Sequence, residues 1–240
     1  MAKSKAQTKK SRPASTSALA QPLQTPRTGL TAFAPGAGLF AHVAQAVDRH
    51  RVRVFSSDSA LVADYLLPEA LACAALAWTS VDASPPESKK KRKGARRGAD
   101  ARRVPLLALG TSDGSVLLFS PSQAKVVRVL ASVSPDAAGI VSLAAADLLW
   151  GVTASGWVQG WDLAQDDERA PSTHFLADHK HPVCIVSAQD YLLAAHHAIA
   201  AFELGADAPL GSFTGHAAPV TALHWTSASG FVSAAADDRS

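Results

Sequence analysis

The chain has 240 residues, of which 48% are hydrophobic and only 6% are aromatic, and its formal net charge at pH 7 is +3. This length suits one unit with a sizeable core. Its two cysteines, Cys73 and Cys184, are too few for a disulfide framework, so we expect a reducing, intracellular environment. The longest apolar stretch, residues 140–158, contains Asp147 and many small residues, which favours buried strands over a membrane span. We therefore expect no membrane partner.

Basic residues are concentrated in two segments. Residues 1–28 contain six Lys and Arg and no acid, and residues 89–103 contain nine Lys and Arg and one acid. The rest of the chain has 8 basic and 19 acidic residues, so its net charge is −11. Because like-charge runs repel each other and stay solvated, we expect a disordered basic tail over residues 1–28 and a disordered basic insertion over residues 82–103.

From Gly29 onward, short runs of the β type recur with a period near 41 residues. An aromatic residue closes such a run at Phe55, Phe119, Trp161 and Phe202. The last two intervals are 42 and 41 residues; the first is 64, and removing the 22 residues of the insertion restores the period. A repeat of this length built from short strands is typical of β-propeller blades. The sequence thus predicts an all-β propeller, a fold that usually holds partners.

The predicted blades follow one another in chain order as sets of alternating apolar runs and turns. We expect blade one over residues 29–70, blade two over 71–135 with the insertion at 82–103, blade three over 136–178, blade four over 179–214 and a partial blade five over 215–240. The turn at Asp238 places the next closing aromatic near position 244, beyond Ser240. We therefore expect an N-terminal fragment of a propeller, with about four blades plus an incomplete fifth.

Three patterns could carry chemistry, and each has a plainer interpretation. Gly110-Thr-Ser-Asp-Gly114 has the spacing of a hydrolase nucleophile elbow, which needs a helix after the turn. Here a β-type run, residues 116–119, follows at once, and Asp-Gly is a common hairpin pair, so the sequence favours a hairpin. The acidic run at residues 166–168 is likewise favoured as a solvated hairpin over a catalytic pair of carboxylates. We assign no catalytic residue.

A loose group of histidines and one cysteine is the third pattern. Zinc sites need three or four converging ligands, and the spacing here fits no standard finger. We therefore favour a loop between blades and predict neither a metal site nor a cofactor. The residues in question are His174, His179, His181 and Cys184, with His196 and His197 farther along.

The basic run in the insertion is the strongest short functional signal. A dense group of cations in a loop suits a nuclear import receptor or a nucleic-acid backbone, and a merely solubilising loop is the alternative. Because no aromatic residues are interleaved, we expect contact with nucleic acid to be directed at the backbone and blind to sequence. The candidate residues are Lys89, Lys90, Lys91, Arg92, Lys93, Arg96 and Arg97.

The last run reads Phe213-Thr-Gly-His-Ala-Ala-Pro-Val220 and reaches Asp238-Arg239. It resembles a WD40 repeat. In that family a Gly-His pair enters the first strand of a blade, its His bonds to a turn Asp, and a Ser or Thr and the closing Trp extend the network. The resemblance implies that matching residues fix the packing of the blades. Those residues are His216, Asp238, Asp113, Trp161 and Asp162.

Two segments, residues 106–120 and 213–220, also resemble the nucleolar WD-repeat subunits of the UtpA (t-UTP) subcomplex of the small-subunit processome. This resemblance covers roughly residues 29–240. It implies a non-catalytic scaffold in the nucleus and nucleolus that supports pre-18S rRNA processing and rDNA transcription. Implied partners are other WD-repeat subunits of the processome, pre-rRNA or the U3 snoRNP, and an import receptor. Another nuclear WD40 adaptor, such as a substrate adaptor of a ubiquitin ligase, is the alternative, and a propeller hydrolase is less favoured.

Overall fold

The structure is a computed structural model that describes residues 30–34, 36–82, 103–132, 136–164, 172–175, 184–188, 191–195, 198–203, 209–227 and 230–235. These residues form eighteen strands and no helix. The strands make four four-stranded sheets and one two-stranded sheet, and every pairing is antiparallel between consecutive strands of the chain. Each sheet is therefore a meander built from hairpins.

The five sheets follow one another along the chain. Sheet one contains β1 (Leu30–Ala34), β2 (Leu39–Val43), β3 (Arg51–Ser56) and β4 (Leu61–Leu66). Sheet two contains β5 (Cys73–Asp82), β6 (Arg103–Thr111), β7 (Val116–Ser120) and β8 (Lys125–Leu130). Sheet three contains β9 (Ile140–Ala145), β10 (Leu149–Thr153), β11 (Trp157–Trp161) and β12 (Ser172–Phe175). Sheet four contains β13 (Cys184–Ala188), β14 (Tyr191–Ala195), β15 (Ile199–Glu203) and β16 (Gly211–Phe213), and sheet five contains β17 (Val220–Ser227) and β18 (Gly230–Ala235).

The first strands of the sheets lie side by side. β1 contacts β5, β5 contacts β9, β9 contacts β13 and β13 contacts β17. The indole N–H of Trp78 on β5 donates a hydrogen bond of 2.9 Å to the carbonyl of Ala32 on β1. The sheets are thus arranged around their first strands, with the later strands farther out. The all-β propeller predicted from the 41-residue period is confirmed.

Consecutive sheets pack face to face. We call the face that meets the preceding sheet of the chain the backward face, and the face that meets the following sheet the forward face. At the first junction, the forward face of sheet one meets Leu107, Leu109, Leu117 and Phe119 on the backward face of sheet two. Because β6 and β7 lie between two neighbouring sheets, both are buried on both sides, as the continuous burial of Val116–Ser120 shows. Among the residues that the structure describes, the core therefore consists of four such junctions and not of one central cluster.

The apolar stretch 140–158 forms β9, β10 and the start of β11, and most of its large side chains are buried. The prediction of buried strands is confirmed for this stretch.

Trp150 on β10 lies opposite Gly160 on β11. A Cβ atom at Gly160 would come within 2.6 Å of the Trp150 ring. Glycine is therefore needed at this position, because the indole ring occupies the space of a side chain.

The ends of the insertion differ from the sequence-based prediction. Residues 82–103 were expected to be disordered, yet Asp82 ends β5, Arg103 begins β6, and the two are paired. The β-prone residues Thr79 and Val81 extend the ladder past the point where the alternating core pattern ends. Residues 1–29 and 83–102, on which the disorder predictions mainly fall, lie outside the described residues. The blade limits lie in connecting segments and stay predictions.

Candidate functional site

The hairpin of β5 and β6 is longer than the rest of its sheet. β6 pairs with β7 only over Leu107–Gly110, whereas residues 103–106 pair with residues 79–82 of β5 alone. Pro105 has no N–H with which to extend the ladder to β7. Four residues of strand reach about 13 Å. We call this two-stranded extension, residues 79–82 and 103–106, the β5–β6 arm.

The base of the β5–β6 arm is fixed by packing. Leu106 is buried and Val81 is partly buried against the junction between sheets two and three. At its tip, Asp82 and Arg103 are adjacent partners, so residues 83–102 leave and return at one point. The seven basic candidates, Lys89 to Lys93, Arg96 and Arg97, belong to this connection and lie outside the described residues. The structure therefore locates the attachment of the basic segment and leaves the role of its residues as a prediction.

The turn at Asp113 lies at the other end of sheet two. Since consecutive strands are antiparallel, the β6–β7 turn and the β5–β6 arm are at opposite ends of β6. The Asp113 carboxylate accepts hydrogen bonds from the Thr111 hydroxyl (2.5 Å) and from the backbone N–H and hydroxyl of Ser115 (3.0 and 2.8 Å). The hairpin predicted for Gly110–Gly114 is confirmed, because β7 follows directly and Gly114 has φ of +86°.

Asp113 is held as a carboxylate by its own turn. Partial burial alone raises the pKa of Asp113, but the hydrogen bonds donated by Thr111 and Ser115 outweigh this effect, so that the pKa lies below its usual value. Its role is thus to close the hairpin. Sequence reasoning expected a network that reaches between elements, whereas the donors described here all come from within four residues of one another.

Trp161 and Asp162 lie at the same end of the propeller as the β5–β6 arm. Trp161 is 6% exposed and packs on the backward face of sheet three against sheet two. Its ring covers Gly151, where an added Cβ would lie 3.0 Å from the ring. The Asp162 carboxylate accepts a hydrogen bond of 2.9 Å from the backbone N–H of Ala164. Both residues therefore serve packing and a turn.

His216 precedes β17 and contacts sheet five. Its Nε2 lies 2.8 Å from the hydroxyl oxygen of Ser233 on β18. A Ser is one of the residue types that the WD40 resemblance implies for the network, and sequence reasoning did not single out Ser233. The Asp238 that completes the implied network lies outside the described residues, so the His216–Asp238 contact stays a prediction. The structure thus joins His216 to Ser233, and it places Asp113 in sheet two and Trp161 and Asp162 at the end of β11 in sheet three.

The patterns considered for catalysis or metal binding are placed as follows. Ser112, the middle residue of the G-x-S-x-G pattern, accepts a hydrogen bond of 3.1 Å from the backbone N–H of Ala72. Cys73 is buried, and this burial raises the pKa of its thiol to about 12. The part of the chain that the structure describes contains no group of three or more potential metal-binding side chains. The side chains of His174, His179, His181, Cys184, His196 and His197 lie outside that part.

A cavity of about 170 Å³ lies between the first strands of sheets one, two and three. Its lining consists of Leu30, Thr31, Ala74, Ala75, Leu76, Val141, Ser142 and Leu143. Sites for drug-sized ligands usually measure ~300–1,000 Å³. The cavity is therefore too small to define a ligand site. Among the described residues, no helix has the length and hydropathy that a membrane span requires.

Comparison with known proteins defines the fold. No protein-family model matches the chain, and no curated protein matches it. A chain of the crystal structure of the mitotic checkpoint complex superimposes with a TM-score of 0.61 at 14% identity, over 94% of this chain and 64% of that chain. The computationally designed Ika8 protein superimposes with a TM-score of 0.56 at 14% identity, over 82% of this chain and 52% of that chain. The chain therefore spans less than two thirds of either neighbour, and at this identity the likeness shows the fold alone. That fold is a WD40-like β-propeller.

Proposed function

We propose that this chain is a non-catalytic WD40 scaffold that works in nucleolar assembly of the small-subunit processome. The propeller fold supports a scaffold, because propellers are usually platforms for partners. The segments 106–120 and 213–220 support the processome, through their resemblance to its nucleolar WD-repeat subunits. In this proposal, other WD-repeat subunits bind the sheets of the propeller, and the basic segments contact an import receptor and pre-rRNA or the U3 snoRNP.

The β5–β6 arm is the observation that carries the proposal. It attaches the most basic segment of the chain at one point, about 13 Å beyond the edge of the ladder with β7. Outside the two basic segments the chain has a net charge of −11, which repels a phosphate backbone. A cationic segment held away from an acidic body can neutralise phosphates without bringing that body close to them.

The first experiment removes the charge of the segment. Replacing its five-residue basic run by Ala should lower nuclear accumulation and flatten the salt dependence of RNA binding, since each lost phosphate contact lowers the slope by about 0.7 for single strands. A second variant removes five cations from the N-terminal segment, which the proposal also assigns to these partners, and so measures the share of each segment. If the loop variant retains both the accumulation and the slope of the natural chain, the loop segment has neither role. The loop variant replaces Lys89, Lys90, Lys91, Arg92 and Lys93, and the N-terminal variant replaces Lys3, Lys5, Lys9, Lys10 and Arg12.

The second experiment identifies the assembly. The tagged chain should co-purify with pre-rRNA of the 5′ external transcribed spacer, with U3 RNA and with WD-repeat subunits of the processome. Sequencing of the bound RNA and mass spectrometry of the bound proteins measure this directly. Recovery of ubiquitin-ligase subunits without ribosomal precursors would instead support the nuclear adaptor.

A further inference from the structure

The β5–β6 arm has two edges, and no described strand pairs with either of them. β5 is the first strand of its sheet and pairs only with β6, and β6 pairs with β7 only from Leu107 onward. β5 has ten residues, whereas β1 and β9, the first strands on either side of it, have five and six. The arm lies between sheets one and three, both of which are described, so its open edges do not arise at either end of the row of sheets.

Two hydrogen bonds at the end of β6 that is distant from the arm show where its backbone groups point. The N–H of Thr111 donates to the carbonyl of Ser115 on the β7 side, at 3.0 Å. The N–H of Ser112 donates to the carbonyl of Ala72 on the β5 side, also at 3.0 Å. Backbone groups of successive strand residues point to opposite edges. Because residues 103–110 of β6 pair with β5 without a register shift, its odd-numbered residues point towards β7 and its even-numbered residues towards β5.

The two edges of the arm therefore differ in their backbone groups. On the outer edge, where β7 would continue, Pro105 has no N–H to donate, and a proline on an edge strand prevents a further strand from pairing. Ser80, the partner of Pro105, points its N–H and its carbonyl away from β6 to the inner edge, and Asp82 does the same. The inner edge is thus a complete template for one more strand, whereas the outer edge is blocked.

The surroundings of the inner edge determine which kind of strand suits it. Val81 is partly buried against the junction between sheets two and three, whereas Ser80 is exposed on the opposite face. A strand added beside them needs apolar residues next to Val81 and polar residues next to Ser80, in alternation. Residues 89–103, with nine Lys and Arg and one acid, are joined to the tip of the arm, whereas the chain outside its two basic segments has a net charge of −11. Acidic residues are therefore attracted at this edge and repelled elsewhere.

We propose that the inner edge of the β5–β6 arm binds an extended, acidic segment of a partner protein as an additional antiparallel strand. Main-chain hydrogen bonds with Ser80 and Asp82 supply affinity, and the alternation of apolar and acidic side chains supplies specificity. A second copy of this chain is a poorer occupant, because it would bring two basic segments together at the tip. This site is distinct from the contact of the basic segment with RNA and does not depend on it.

The test uses the full chain and a fluorescein-labelled peptide of eight residues in which Glu and Val alternate, with binding measured by fluorescence anisotropy. Ser80→Pro removes the N–H at the inner edge, where the side chain is exposed, and proline is tolerated on an edge strand whose N–H faces solvent. Ser80→Ala, which retains the N–H, is the matched control, and circular dichroism verifies that both variants fold. A peptide that is N-methylated at its Glu residues, which lie opposite Ser80 and Asp82, tests the same hydrogen bonds on the natural chain.

We expect the natural chain and Ser80→Ala to bind the peptide equally. Ser80→Pro and N-methylation of the peptide should each weaken binding by about tenfold or more, because main-chain hydrogen bonds are lost while all charges are retained. A peptide with Lys in place of Glu should also bind about tenfold more weakly, because the tip of the arm is cationic.

Four results would overturn the proposal: no binding by the natural chain, equal binding by Ser80→Pro, equal binding of the N-methylated peptide, or equal binding of the Lys peptide. Sedimentation velocity supplies a fifth. If the natural chain alone dimerises and Ser80→Pro does not, the edge belongs to a second copy and not to an acidic partner. No RNA is present and the cations of residues 89–93 are unchanged, so the outcome is separate from that of the proposed function.

Discussion

Replacing Phe119 by Ala tests whether consecutive sheets are held together by their faces. Phe119 is fully buried, and its ring lies 4.9 Å from the ring of Tyr65 across the junction between sheets one and two. Truncation to Ala removes the contacts that the ring makes with both sheets. It leaves a cavity, which cannot close because a β-ladder holds the backbone on each side. Core changes from Phe to Ala cost about 3–5 kcal/mol. At about 2–4 °C per kcal/mol for a chain of this size, the midpoint of thermal unfolding should fall by roughly 6–20 °C.

Thermal unfolding followed by far-ultraviolet circular dichroism, at a protein concentration too low for association, measures this change. Phe33→Ala is the control, because Phe33 is the same type of residue and is 74% exposed. Its cost should stay within about 0.5 kcal/mol, as for surface positions in general. Phe119→Leu retains much of the side-chain volume and should cost less than about 1.5 kcal/mol, which preserves a measurable variant if the Ala variant does not fold. Equal losses for Phe119→Ala and Phe33→Ala would refute packing of sheet one on sheet two through this residue.

Three further changes probe single contacts. Gly160→Ala brings a Cβ within 2.6 Å of the Trp150 ring and should lower the free energy of unfolding by about 1–3 kcal/mol, as measured by urea unfolding. Gly211→Ala is the control and should not lower it, because a Cβ at Gly211 would have no neighbour within 4 Å. Equal effects of the two changes would contradict the packing of Trp150 on Gly160. Asp113→Asn removes a carboxyl whose folded pKa lies below its unfolded value near ~3.9, so the stabilisation by the charge is present above that value and is lost as the pH falls through the folded pKa. The stability difference between the natural chain and Asp113→Asn should therefore shrink as the pH is lowered from above the unfolded pKa to below the folded pKa, and a constant difference would exclude a role of the charge. Trp78→Phe removes the N–H that bonds to sheet one and should cost about 0.5–1.5 kcal/mol in the same unfolding assay; no loss would show that this bond does not stabilise the junction.

Much of the fold could be predicted from the sequence, because its signals are local. Alternating apolar residues determine which side chains of a strand are buried, as the buried Val52 and Val54 show in alternation with the partly exposed Arg51 and Arg53. Asp-Gly specifies the hairpin that follows β6. Repetition of such units near 41 residues is enough to indicate a propeller. The basic candidates are also visible as sequence, but their function stays a prediction, since a charged run has the same appearance in a solvated loop and in a binding segment.

Other features were decided only by the tertiary structure. Whether an aromatic side chain is buried depends on which sheet lies opposite it, so Phe55 and Phe119 have equivalent places in the repeat but different surroundings. The extension of β5 and β6 beyond β7 depends on pairing between residues that are more than twenty positions apart. Ser233 becomes a partner of His216 only because β18 folds back beside β17. Local chemistry thus determined the strands and turns of this protein, whereas contacts between distant residues determined which of the described side chains are buried and which are exposed.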